Sequence, residues 1–213
     1  MVLTRSSNTL LQWIIDRLRA EFAIKDLGEL RFFLGIDVKC YPTDFYLSQQ
    51  RYADDILERA RMMNRKTAST PIDAKGKLSA DGPLLEDTKT YRSITGALQY
   101  LTMMHTDLAF VVQQACLHMH DPRVHQALLK RILCYVRGTS AMGLYIHGSH
   151  DLSITAYSDA DWAGCPDTRR SASGFYVFLG DALVSWSSAE AEYLAVANTA
   201  AECIRLRQLL GEL

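Results

Sequence analysis

The sequence predicts an α+β fold in which a helical block precedes a small antiparallel sheet and a final helix. Three observations support this prediction. Apolar residues recur at helical spacing through most of residues 9–137, interrupted near the start by two short strand-like runs. From Gly143 the apolar pattern alternates with a period of two. Helical spacing then returns over residues 189–210.

The first part of the chain predicts a helix, a β-hairpin and a second helix. The first helix is expected over 9–22, with an apolar stripe that faces inward. Residues 30–38 and 45–48 are rich in aromatic and β-branched side chains around a turn-like Pro42, which indicates the hairpin. The second helix is expected over 49–63. Residues 64–87 show no period and carry two prolines, which predicts a linker.

Three further helices are predicted over 88–104, 107–119 and 122–137. The third has a complete set of terminal signals, with Asp121 as N-cap, Pro122 at the first helical position and Gly138 just beyond the end. Strands are then expected over 143–147, 152–159, 174–179 and 182–186, forming one antiparallel meander. In this meander Tyr157 and Trp186 are expected to be core residues.

Composition excludes several classes of protein. The chain has 213 residues, 48% hydrophobic and 22% charged, with a formal net charge of -1, which is typical of a globular protein. No apolar run is long enough for a membrane span and no secretory signal is present, so an intracellular protein, cytoplasmic or nuclear, with no membrane partner is expected. Five scattered cysteines without a CxxC pair argue against a disulfide framework and a zinc ribbon.

Acidic residues stand at the end of one predicted strand and the start of the last predicted helix. Asp159 and Asp161 follow the strand 152–159, while Glu190 and Glu192 open the helix. Because Glu190 and Glu192 lie about 200 degrees apart around a helix, only one of them can point toward Asp159. Hydrolysis of a phosphodiester by two metal ions requires several converging carboxylates.

The order of short motifs along nearly the whole chain resembles the reverse transcriptase and ribonuclease H region of copia-type LTR-retrotransposon polyproteins. The motifs that carry the resemblance are Lys-Asp-Leu-Gly-Glu-Leu at 25–30, Phe-Leu-Gly-Ile at 33–36, Tyr-Leu-Ser-Gln at 46–49, the block 91–102, Lys-Arg-Ile-Leu at 130–133, Tyr-Ser-Asp-Ala-Asp-Trp-Ala-Gly at 157–164, Asp-Thr-Arg-Arg-Ser at 167–171 and Ser-Ala-Glu-Ala-Glu-Tyr at 188–193.

This resemblance implies a division of the chain and a role for each part. Residues 1–63 would be a reverse transcriptase palm/thumb remnant, 64–87 the linker, 88–140 a helical thumb and connection, and 141–213 a truncated ribonuclease H-like domain with its sheet and first helix. The implied ancestral activities are RNA-directed DNA synthesis and hydrolysis of RNA in RNA–DNA hybrids. In this family the carboxylates matching Asp159 and Glu192 are catalytic and hold magnesium ions, so Mg²⁺ is the implied cofactor.

Nucleic acid, above all an RNA–DNA hybrid, is the implied partner. The resemblance places Phe33, Leu34 and Gly35 in a hairpin that touches the primer strand. Basic side chains that can track phosphates follow on the helix 122–137 and in the loop after the strand 152–159. They are Lys130, Arg131, Arg137, Arg169 and Arg170.

Two departures from the family predict a catalytically incomplete protein. The family has a third metal-binding aspartate on a later strand, whereas no Asp follows Asp181 here. The only match to the YxDD signature of polymerases, Tyr52-Ala53-Asp54-Asp55, opens a predicted helix instead of a strand-turn-strand. Whether the chain is an enzyme is therefore left open. The alternatives are a non-catalytic nucleic-acid-binding protein and a fragment without a selected function.

Overall fold

The computed structural model describes residues 2–3, 7–72, 87–117, 119, 126–148, 151–160, 172–190 and 195–211. Within these ranges helices and two antiparallel sheets alternate, as the α+β prediction required. The helices are α1 (Asn8–Glu21), α2 (Gln50–Arg59), α3 (Thr88–Leu101), α4 (Ala109–Leu117), α5 (Gln126–Thr139) and α6 (Ala195–Gly211). The strands are β1 (Phe32–Phe33), β2 (Ile36–Cys40), β3 (Asp44–Ser48), β4 (Gly143–His147), β5 (Ile154–Ala160), β6 (Ala172–Leu179) and β7 (Ala182–Glu190).

The main apolar core lies between α2, α3, α4 and α5. Each helix contributes residues that are almost fully removed from solvent, because each carries an apolar stripe at helical spacing. Helix α3 begins where Asp87 accepts a hydrogen bond from the Thr90 backbone N–H at 3.0 Å, as expected of an N-cap aspartate. The most deeply buried members of this core are Ile56, Leu57, Leu98, Leu101, Leu108, Val111, Val112, Ile132 and Val136.

The segment after α2 lies along α5. The backbone N–H of Ala68 donates to the Cys134 carbonyl oxygen at 3.1 Å, and the Arg131 guanidinium donates to the Thr70 hydroxyl at 2.8 Å. Residues 67–70 of the predicted linker are therefore bound to the helical block. Helix α2 shares its core with α3, α4 and α5, so this packing joins residues on both sides of the segment 64–87.

The first sheet has the strand order β1-β2-β3-β4. Strand β4 pairs with β3 in the register Ser48↔Gly143, so the prediction that residues 143–147 open the C-terminal meander is wrong. The period-two pattern identified the strand correctly but carried no information on its partner. A Cβ atom at Gly143 would lie 2.1 Å from the Leu47 carbonyl oxygen, so glycine permits this close pairing.

The second sheet has the order β5-β6-β7 and forms the rest of the predicted meander. Helix α6 packs against β5 and β6. Helix α1 is confirmed, but only Ile15 of its predicted inward stripe is buried; Leu10 and Phe22 are exposed. Among the helices of the described ranges, none has the length and apolar content needed to cross a bilayer.

A substitution at Gly143 tests the pairing of β4 with β3. Gly143→Ala forces a methyl group against the Leu47 backbone, so we expect the free energy of unfolding to fall by about 2 kcal/mol. The matched control is Gly96→Ala in α3, where a Cβ meets nothing within 4 Å; removing a helical glycine should stabilise by about 0.8 kcal/mol. Urea unfolding followed by circular dichroism measures both variants. A Gly143→Ala protein as stable as the parent would contradict the pairing.

Candidate nucleic-acid interface

One face of the second sheet carries a row of aromatic side chains. Tyr157 lies opposite Tyr176, and Tyr176 lies opposite Trp186, so all three project from the same face. Tyr157 is 62% exposed, which shows that the prediction of a core position for it is wrong. Trp186 is half-buried, and its ring N–H donates to the Thr102 carbonyl oxygen at 3.0 Å. This bond fixes the aromatic face against the end of α3.

A cleft of about 450 Å³ opens between this face and α4. Phe110, which is 44% exposed on α4, forms the side opposite the sheet. The sheet lines the cleft with two tyrosines, four serines, a glycine and one aspartate. Because side chains alternate along each strand, the tyrosine rings, the Asp159 carboxylate and the Ser188 hydroxyl project from the cleft face, whereas Ser158, Ser173 and Ser187 project from the other face. The sheet residues that line the cleft are Tyr157, Ser158, Asp159, Ser173, Gly174, Tyr176, Ser187 and Ser188.

Asp159 lies in this cleft near the end of β5, as the sequence predicted. Its partner across the sheet is Gly174, which in turn lies opposite Ser188. Since glycine has no side chain, the space beside the Asp159 carboxylate stays open. Asp159 is exposed and shares the face of Tyr157, because residues two apart on a strand point the same way.

Helix α6 lies on the other face of the sheet. Ser185 alternates with Trp186 along β7 and therefore points away from the cleft. Hydrogen bonding from Arg205, with a smaller contribution from Ser185, lowers the pKa of the Glu202 carboxyl of α6. Ser185 is paired with the fully buried Val177, so α6 covers the apolar face while the cleft face stays accessible.

The predicted start of the last helix is wrong. Strand β7 continues to Glu190, which pairs with Ala172, and α6 begins only at Ala195. Serine and glutamate at 187–190 are typical of a helix N-terminus, but pairing with β6 overrides that local preference. Glu190 is therefore a strand residue. Glu192 and Asp161 lie outside the described residues, so the predicted pairing of Asp159 with Glu192 stays a prediction.

The described residues do not provide the ligands of a two-metal centre. Two magnesium ions need several oxygen ligands, and the described cleft offers Asp159 as its one carboxylate together with the Ser188 hydroxyl. Throughout the described ranges no three His, Cys, Asp or Glu residues come together as a metal site. These residues alone do not fit a pair of magnesium ions.

The predicted primer-contacting residues form a tight turn between β1 and β2. Leu34 and Gly35 have φ of 49° and 76°, and Phe33 pairs with Ile36, which together define a two-residue type I′ hairpin. Leu34 is 65% exposed at the tip. The structure thus presents Phe33, Leu34 and Gly35 on one protruding element.

The basic residues predicted on α5 differ in their surroundings. Lys130 is exposed, whereas Arg131 and Arg137 are partly buried. Arg131 donates to Thr70 and so helps to bind the segment 67–70. Arg169 and Arg170 lie outside the described residues. A phosphate contact from any of the five basic residues stays a prediction.

The YxDD-like segment is helical, as predicted. Tyr52, Asp54 and Asp55 lie in the first turns of α2, and Asp55 forms an ion pair with Arg59 of the same helix at 3.4 Å. This is the i,i+4 arrangement of a surface helix pair. The segment lacks the strand-turn-strand geometry that the polymerase signature requires.

Sequence reasoning missed three aromatic residues of these surfaces. Tyr176 and Phe110 line the cleft, and Tyr100 contacts the hairpin turn. A regular register across the Gly180-Asp181 turn would not have given the row Tyr157–Tyr176–Trp186, because an irregularity between Val177 and Phe178 shifts Trp186 opposite Tyr176. Nothing in the sequence indicated that Phe110 faces the second sheet.

Comparison with known proteins identifies a set of relatives. The family profile described as "Reverse transcriptase (RNA-dependent DNA polymerase)" matches residues 1–74. An uncharacterized mitochondrial protein of Arabidopsis thaliana is 46% identical over 213 residues, which cover 95% of this chain and 89% of that protein. No solved structure matches the chain significantly.

Two larger relatives from Arabidopsis thaliana are named retrovirus-related Pol polyproteins. That of transposon RE1 is 41% identical and that of transposon RE2 is 39% identical, and both match 100% of this chain. The chain spans 15% of the RE1 polyprotein and 16% of the RE2 polyprotein. The similarity therefore extends through the hairpin, the helical block and the aromatic cleft.

The bond from Trp186 to Thr102 offers a test of how the cleft is fixed. Trp186→Phe keeps an aromatic ring but removes the donor, so we expect the free energy of unfolding to fall by about 1 kcal/mol. Trp13→Phe is the matched control, because Trp13 is exposed on α1 and its ring N–H makes no hydrogen bond within the described residues. Urea unfolding followed by circular dichroism measures the free energy of unfolding of both variants. Equal stability of the two variants would contradict this role for Trp186.

Proposed function

Since this chain belongs to the family of copia-type LTR-retrotransposon Pol polyproteins, we propose that it binds RNA–DNA hybrids without cleaving them. It corresponds to a part of such a polyprotein with a reverse transcriptase domain. In this proposal the hairpin Phe33–Gly35 contacts the primer strand, and the aromatic cleft belongs to a ribonuclease H-like unit that contacts the RNA strand. The observation that carries it is the combination of exposed tyrosine rings, the Ser188 hydroxyl and Asp159 on one face of the cleft.

The chemistry of the cleft suits a hybrid duplex. A hybrid has a wide, shallow minor groove that displays the 2′-hydroxyl groups of its RNA strand. The Ser188 hydroxyl, which shares the face of Asp159, can donate to a phosphate and exchange hydrogen bonds with a 2′-hydroxyl. The exposed rings of Tyr157 and Tyr176 offer flat apolar surfaces for the sugars.

Charge is supplied from outside the described part of the cleft. The cleft residues that the structure describes include Asp159 and no basic side chain. We assign phosphate contacts to the exposed Lys130 and to Arg137 on α5, and, by resemblance, to Arg169 and Arg170. A small number of such contacts gives a moderate dependence of affinity on salt.

The proposed absence of cleavage rests on the number of carboxylates that hydrolysis needs. A two-metal reaction requires a set of acids that neutralises both the attacking and the leaving oxygen. Asp159 is the one acid that the described cleft supplies, and α6 packs on the opposite face. The YxDD-like segment is helical and gives no support to polymerase activity.

A divalent metal ion is implied in general by reverse transcriptase membership. By resemblance, Asp159 and Glu192 would be its ligands, and Mg²⁺ would supply charge neutralisation at the scissile phosphate. The described residues contribute Asp159 alone to that set, so we propose that this chain by itself does not complete a catalytic centre.

Hybrid binding is tested with a fluorescein-labelled RNA–DNA hybrid by fluorescence anisotropy at low salt. We expect Tyr157→Ala to weaken binding about fivefold, because it removes an exposed ring from the cleft. The matched control is Tyr41→Ala, which removes a ring that is 48% exposed in the turn between β2 and β3 and should leave affinity unchanged. No binding of the hybrid at low salt, or the same loss in both variants, would contradict the proposal.

Cleavage is tested with the same hybrid, labelled on its RNA strand, in Mg²⁺ and separately in Mn²⁺. We expect the RNA to remain intact while it is bound, since the described cleft contributes a single carboxylate. The measurement is the length of the labelled RNA on a denaturing gel. RNA fragments that appear with the parent protein and disappear with Asp159→Asn would show that the centre is complete.

A further inference from the structure

The turn between β1 and β2 places a leucine in an unfavourable backbone conformation. A type I′ turn requires positive φ at both central residues, which glycine and asparagine adopt readily. Here the first central residue is Leu34, with φ of 49°, and the second is Gly35, with φ of 76°. A bulky side chain in the left-handed region costs free energy, so neighbouring groups must hold such a residue in place.

Leu34 does not hold the turn by packing its own side chain. It is 65% exposed, and Phe32 on the adjoining strand is exposed as well. The pairs Phe32↔Asp37 and Phe33↔Ile36 and a bond from the Val38 N–H to the Arg31 carbonyl oxygen at 2.8 Å close the base of the hairpin. A contact at the tip itself comes from another element.

Tyr100 of α3 makes that contact. Its hydroxyl donates to the carbonyl oxygen of Leu34, the strained residue itself. Its ring lies beside Gly35, where an added Cβ would be 3.7 Å from Tyr100 Cε1. The edge of the Tyr52 ring of α2 packs against the Tyr100 ring, with the centroids 5.3 Å apart at 84°. Two helices of the block thus fix the side chain that holds the turn.

We propose that Tyr100 is a positioning residue that holds the Leu34 turn in its left-handed conformation and so couples the helical block to the hairpin. The proposal rests on the proposed function, in which this hairpin contacts a nucleic-acid strand. The hydroxyl fixes the direction of the Leu34 carbonyl, and the ring limits movement at Gly35. An exposed leucine is thereby presented at a set position relative to α3.

Hydrogen–deuterium exchange of the free protein, without any nucleic acid, tests whether Tyr100 stabilises the Leu34 turn. Tyr100→Phe keeps the ring and removes the donor, so amide exchange in the segment 32–37 should become about fivefold faster. The matched control is Tyr41→Phe, whose hydroxyl makes no hydrogen bond within the described residues and whose loss should leave exchange in this segment unchanged. Equal exchange in the two variants would overturn the proposal.

A double-variant comparison separates positioning from general stabilisation. Leu34→Asn gives the turn an Asn-Gly sequence, which favours type I′ without outside help. In that background Tyr100→Phe should accelerate exchange of the segment by less than about twofold, because the turn no longer depends on the hydroxyl. An acceleration by Tyr100→Phe that is the same in both backgrounds would assign Tyr100 a merely structural role and overturn the proposal.

Binding of the labelled RNA–DNA hybrid gives the functional readout. Tyr100→Phe should weaken binding about threefold while the slope of affinity against salt stays the same, since no phosphate contact is removed. Failure of the parent protein to bind the hybrid would overturn the proposed function. The positioning role of Tyr100 would then be decided by the exchange measurement alone. Binding with parental affinity by Tyr100→Phe would overturn the coupling.

Discussion

The C-terminal end of α3 positions both sheets on the helical block. Leu101 is fully buried in the core, so the end of the helix is fixed by apolar packing. The residue before it, Tyr100, donates to Leu34 in the hairpin of the first sheet. The residue after it, Thr102, accepts the bond from Trp186 of the second sheet. Leu101 and Tyr100 act through their side chains, whereas Thr102 accepts through a backbone carbonyl oxygen at the end of the helix, where the last carbonyl groups have no partner within the helix.

Through these contacts the helical block holds both candidate contact surfaces, the hairpin tip and the cleft. The helical block fixes the hairpin tip through Tyr100 and one wall of the cleft through Phe110 of α4. Helix α6 covers the apolar face of the second sheet and leaves the face of Asp159 open. The described side chains of this face are two exposed tyrosine rings, one serine hydroxyl and one carboxylate, and the proposal of binding without cleavage rests on them.

Periodicity alone predicted most of the local structure. The apolar spacing of α2 and α3 and the aromatic run before Gly35 specified helices and a hairpin close to where they are found. These signals are local, because each pattern is formed by residues that are close together in the sequence. The position of Asp159 at the end of a strand was also predictable, because a strand that ends in acidic residues presents them at an edge of the sheet. In the structure this edge lines the cleft.

Tertiary pairing was not predictable from the same patterns. The strand at 143–147 alternates correctly whichever sheet it joins, and only the close approach permitted by Gly143 distinguishes β3 as its partner. Residues 187–190 have helix-start composition, but they complete the ladder with β6. Tyr157 has the strand pattern of a core residue, yet it is 62% exposed on the cleft face.

We propose that the Asp159 face receives a nucleic acid, whereas the described residues of this face do not supply the ligands for paired metal ions. Crystals of the 213-residue chain with an RNA–DNA hybrid and Mn²⁺, measured at the manganese absorption edge, test it most directly. We expect a hybrid seated along Tyr157 and Tyr176 with at most one manganese peak at Asp159. Two manganese peaks about 4 Å apart, ligated by Asp159 and a second protein carboxylate, would contradict it.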